Sequence, residues 1–100
     1  VRMEGESPDA VSNGEQFSYH IGGFAGDKNA IQELEFDFQG AVLEIMPEAN
    51  PSIHLMVDPS QLWKNGVTLE TMSTVHMPGE SAKIIAENFA SGFRFDHIHN

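Results

Sequence analysis

Apolar and polar side chains alternate with a period of two along four stretches of the chain, the pattern of strands that bury one face. From Gln16 to Ile21, Phe17, Tyr19 and Ile21 take one face while Gln16, Ser18 and His20 take the other. From Ile31 to Phe38, Leu34, Phe36 and Phe38 oppose Glu33, Glu35 and Asp37, which predicts a half-buried strand with an acidic outer face. Ala41 to Met46 is a candidate partner for it, broken by Pro47. Ile53, Leu55 and Val57 oppose His54, Met56 and Asp58. Phe93 to His99 sets Phe93, Phe95 and His97 against Arg94, Asp96 and Ile98, so the terminal histidines are expected to share a face with two phenylalanines.

The spacing changes over Ser81 to Ala90, where Ile84, Ile85 and Phe89 form a stripe of helical period that Ser91-Gly92 ends. Asp58-Pro59-Ser60 reads as a second helix entry, with Asp58 as cap and Pro59 in the first turn of a short segment that stops at Gly66. The Ser-, Pro-, Asp-, Asn- and Gly-rich run from Glu6 to Gly14 is a loop, as is the glycine-punctuated stretch through Gly22-Gly23 and Gly26-Asp27. No internal repeat or low-complexity segment interrupts the pattern. It predicts a mostly-β, sandwich-like domain with one or two short helices packed across it, residues 1–100 forming a single domain.

Composition narrows the partners. The net charge of −10 comes from 15 carboxylates against 5 Lys and Arg. Nucleic acid and anionic membrane surfaces are both bound through clustered cationic side chains, so neither is an expected partner. The acidic field instead concentrates cations near the protein. The absence of cysteine removes disulfides, thiolate nucleophiles and thiolate metal sites together. No stretch approaches the roughly 20 apolar residues of a membrane span. Val1 to Gly5 reads as the tail of a strand, and the chain is expected to be the carboxy-terminal portion of a longer protein. A strand cut at Val1 would leave an open sheet edge, which invites pairing with a missing amino-terminal half or with a second copy.

Histidine is the residue type that carries candidate chemistry. In an extended His97-Ile98-His99 both imidazoles point to one face, with Cα atoms about 6.6–6.8 Å apart, close enough to converge on one metal ion. His20 lies on an outer strand face before Gly22-Gly23. His76 precedes Met77, and imidazole beside thioether suits Cu(I). His54 has a strand-face position and nothing further to recommend it, and Trp63 is expected to plug the core. Catalytic patterns are missing: Gly79-Glu80-Ser81 lacks the glycine of a nucleophile elbow, no His-Glu-x-x-His occurs, and Asp27, Asp37 and Asp58 lack calcium-loop spacing. Glu33 and Glu35 read as a solvated strand face, and no enzyme is expected.

Four segments in order carry a family resemblance: Arg2-Met3-Glu4-Gly5, then Tyr19-His20-Ile21-Gly22-Gly23, then Ile53 through Val57-Asp58-Pro59 to Leu62-Trp63, then Val75 to Phe93 with Ile85-Ala86-Glu87-Asn88. In this order they resemble the carboxy-terminal half of the MbnP-like family. The resemblance implies a bacterial envelope protein, periplasmic or lipid-anchored through a segment outside this chain. In some members it also implies copper held by histidines and an oxidised tryptophan (kynurenine). His20 and His76 fall where histidine occurs in that pattern. Residue 18 is serine, so the Trp-x-His arrangement is missing, while His97 and His99 rest on their spacing alone.

Two functions follow as expectations. One is an envelope protein that binds copper, with zinc as the other candidate ion, through His20, His76, His97 and His99, and without catalysis. Such binding weakens as imidazole protonates below about pH 6.5. The other is a β-sandwich interaction or structural module with incidental histidines. Three of those four imidazoles in one coordination shell would favour the first, and scatter over the surface the second.

Overall fold

The alternation around Tyr19 is realised as a central strand. In the computed structural model, which describes residues 1–10 and 14–100, β1 (Arg2–Glu6) pairs antiparallel with β2 (Gln16–His20), and β2 pairs parallel with the short β4 (Thr74–Val75). The expected loop from Glu6 to Gly14 lies partly outside the described residues. Its described ends are held by the Ser7 N–H donating to the Glu15 carbonyl at 2.7 Å. A second, two-stranded sheet joins β3 (Ser52–Val57) to β5 (Phe93–His99) antiparallel. Helix α1 (Glu80–Ala90) and two 3-10 turns, Gly26–Lys28 and Pro59–Leu62, complete the regular elements among the described residues. The result is the mostly-β domain with short helices that the alternation predicts.

The core lies under the three-stranded sheet. Tyr19 and Ile21 from β2 and its extension meet Val75 from β4, Leu62 and Val67 from the segment after β3, and Ala82, Ile85 and Ala86 from the helix stripe. Trp63 plugs this core as expected, standing edge-on to Phe17 and donating its Nε1–H to the Tyr19 hydroxyl at 3.1 Å. Tyr19 in turn donates to the Met72 carbonyl at 2.5 Å. Burial raises the Tyr19 phenol above its ordinary pKa, and the hydrogen bond from Trp63 only partly offsets that. Asn88, 1% exposed, donates to the carbonyls of Leu62 and Lys64 and accepts from Asn65. One amide thereby satisfies the end of the Pro59–Leu62 turn, which Asp58 caps at the other end through the Ser60 N–H.

The second sheet is differently placed. None of its residues belongs to the core cluster, and Ile53, Leu55, Met56 and Val57 remain 41–44% exposed. The molecule measures 53 × 33 × 23 Å with a radius of gyration of 17.1 Å, against about 13 Å for a compact chain of this length. The β3–β5 ribbon joins the rest where the Asp58 N–H donates to the Gly92 carbonyl at 2.9 Å. Gly92 is required there: a Cβ would come within 2.5 Å of the Asp58 carbonyl oxygen.

Two expectations are corrected. Ile31–Phe38 and Ala41–Met46 form no strands, because alternation marks the side of a segment that would be buried but supplies no hydrogen-bonding neighbour. Phe36 and Phe38 stay half-buried, with Phe38 against Phe95. Asn100 holds Val42 and Glu44 through its side chain. The second correction concerns β5, whose alternation breaks at a bulge. His54 pairs with His97 but the adjacent Leu55 pairs with Phe95, leaving Asp96 as the extra residue. Adjacent residues of β3 face opposite ways, so His97 lies on the face opposite Phe95 instead of sharing it.

Candidate functional site

The parallel pairing of β2 with β4 matches Ser18 to Thr74 and Tyr19 to Val75. Tyr19 and Val75 point into the core, so the next positions, His20 and His76, emerge side by side on the outer surface. Their rings stack with centroids 4.3 Å apart and planes 18° from parallel. Ser18 stands between them, its Oγ 2.8 Å from His76 Nε2 and 3.3 Å from His20 Nε2. Across the hairpin, Glu4 is the register partner of Ser18. Its Oε1 lies 2.5 Å from His20 Nε2 and accepts from Arg2 at 3.1 Å. A carboxylate only accepts, so in this arrangement the His20 proton sits on Nε2. The His20 hydrogen bond, followed by that from Arg2, holds the Glu4 carboxyl below its ordinary pKa.

His97 and His99 stand elsewhere, on the β3–β5 ribbon. The antiparallel register sets His97 opposite His54 and His99 opposite Ser52. The His54 and His97 rings stack at 4.1 Å, and the His54 and His99 centroids are 6.4 Å apart. The four expected ligands therefore separate into two pairs, one on each sheet, and His54 joins the second. Among the described residues, no three His, Asp or Glu side chains stand in ligating geometry as they are placed. Sequence reasoning passed over His54. Its outer-face position was visible, but its pairing with a strand about forty residues away was not.

The arrangement brings two imidazole nitrogens against one point at the sheet surface. His20 Nε2 and His76 Nε2 both approach the same serine oxygen within 3.3 Å. A soft or borderline ion suits such imidazole donors, and Met77, 76% exposed, follows His76 directly. The donor set fits copper. An ion held there would take the place of the Glu4 hydrogen bond, which would require the His20 proton on Nδ1.

Fold and surface together define a small mostly-β domain that carries paired imidazoles on its sheets. A family model described as MbnP matches residues 1–78, and the chain belongs to the MbnP family, a copper-related one. The match takes in His20, His54 and His76; α1 and β5, with His97 and His99, lie beyond it. No curated protein and no solved structure matches the chain. Among the described residues no helix is long and apolar enough to cross a membrane.

Proposed function

We propose that this protein binds copper at the sheet surface through His20 and His76, as a non-catalytic metal-binding protein of the bacterial envelope. The observation that carries the reading is the approach of both Nε2 atoms to Ser18 Oγ, 2.8 and 3.3 Å away. Membership of the MbnP family supports it, since both histidines fall within the matched residues. Cu(I) is the preferred ion, because it is satisfied by few soft or nitrogen donors; zinc shares the nitrogen chemistry but demands more ligands. Ser18 and Glu4 hold the rings in place until an ion replaces their hydrogen bonds.

Competition for Cu(I) against a chelator of known affinity at neutral pH tests this. The wild-type chain is expected to take one equivalent that His20→Ala/His76→Ala abolishes and His97→Ala/His99→Ala leaves in place. Retention of that equivalent in the first variant overturns the reading. A second reading, an interaction module without a specific metal, is supported by the separation of His20 and His76 from His97 and His99 and by the apolar side chains left in solvent, with Ile45 85% and Val42 65% exposed.

A further inference from the structure

The ribbon carries a histidine cluster that the copper reading does not use. We propose that His54, His97 and His99 form a second, separate metal site, one for a borderline divalent cation such as zinc(II) or copper(II). The cluster is a product of pairing. His54 and His97 are register partners and share a face, and His99 returns to that face two residues on. Ring centroids 4.1 and 6.4 Å from His54 make the three imidazoles neighbours on one face, although as placed they do not form a ligating set. All three are exposed, which leaves room for the side-chain rotation that closing the site around an ion requires.

The protonation pattern favours this site in a way the sheet pair does not share. The bulge brings Asp96 alongside His97, whose Nδ1–H donates to Asp96 Oδ2 at 2.6 Å. With the proton fixed on Nδ1, the lone pair of His97 is at Nε2, directed away from the carboxylate. A carboxylate that holds the far nitrogen of a ligating histidine fixes its tautomer and raises its basicity. At His20 the carboxylate instead occupies Nε2 itself. Ser52 plays a lesser part on the other strand, its Oγ 3.0 Å from His54 Nε2. Three imidazole nitrogens leave a tetrahedral ion one position for water, a donor set that suits zinc(II) and copper(II) better than hard cations.

The test uses the full chain carrying His20→Ala/His76→Ala, so that the sheet pair cannot contribute, with zinc(II) and then copper(II) as probes. Calorimetric titration is expected to give one equivalent of either ion. Adding His54→Ala should weaken binding by about tenfold or more, and Asp96→Asn by about tenfold through His97. Long-range proton–nitrogen spectra should show the His97 Nε2 resonance moving on addition of zinc(II). Absence of stoichiometric binding in this background, or a His54→Ala variant with unchanged affinity, overturns the proposal. Because every ribbon measurement is made without the sheet pair, it can fail while Cu(I) binding at His20 and His76 stands, and the reverse outcome is equally readable.

Discussion

The two sheets of this domain obey the same alternation and end in different physical states. In β2 and its extension, the inner residues Tyr19 and Ile21 meet a helix, a 3-10 turn and the Val67 region, and are buried to 0% and 8% exposure. In β3, Ile53, Leu55 and Val57 alternate just as cleanly yet stay above 40% exposed. The difference lies in what arrives to cover each face, since a two-stranded ribbon has no layer of its own to pack against. Stability should therefore concentrate in the β1-β2-β4 sheet and α1, and the ribbon should depend on its partner strand and on the Asp58–Gly92 joint.

A paired core test can break that comparison most directly. Ile85→Ala removes a fully buried side chain and is expected to cost about 2–5 kcal/mol. Leu55→Ala on the ribbon, at 41% exposure, should cost about 1 kcal/mol or less. Urea midpoints of the two variants read the difference, and equal losses would mean that the ribbon is as much a core element as the helix. Gly92→Ala probes the joint between the regions. Its new Cβ must push back the Asp58 carbonyl, for an expected loss of about 1–3 kcal/mol in the same assay. A neutral result would mean that the ribbon moves freely relative to the rest.

The smallest expected effects come from pH, and they belong to the packed sheet. Tyr19 is held protonated above its ordinary pKa of 10.0, chiefly by burial. Its contribution is fully present below pH 10.0 and lost as pH rises through the elevated native value. Tyr19 is the chain's single tyrosine, so phenolate absorbance followed in parallel with the urea midpoint isolates it. Glu4 has the opposite sign. Its carboxyl is depressed below 4.5 by His20 and then Arg2, so its contribution is present above that pH and lost as pH falls through the lower native value. Glu4→Gln should flatten that acid limb.

Much of the packed region was legible in the sequence because its signals are local. The faces of β2, the helical stripe of Ile84, Ile85 and Phe89, and the Asp58 cap each depend on neighbours within a few residues. The candidate sites depend on contacts that span the chain. His20 meets His76 only because β4 pairs parallel to β2, and His54 meets His97 only because β3 pairs with β5. The spacing of His97 and His99 showed that they share a face, but could not identify the third imidazole opposite them. The strands expected at Ile31–Phe38 and Ala41–Met46 failed for a related reason: the pattern was right for burial and no neighbouring strand was there to pair with it.

The bulge at Asp96 amounts to a half-period phase shift written into a strand. Before it, β5 presents phenylalanine to the side of Leu55; after it, the same alternation presents histidine to the side of His54. One inserted residue thus keeps Phe93, Phe95 and Ile98 on one side of the ribbon and Arg94, His97 and His99 on the other, across a point where the sequence itself changes phase. Straightening the bulge with Asp96 kept in the ladder opposite His54 would turn His97 toward the phenylalanines, whereas deleting Asp96 would leave His97 on its present face. The length of this strand, as much as its composition, is part of its chemistry.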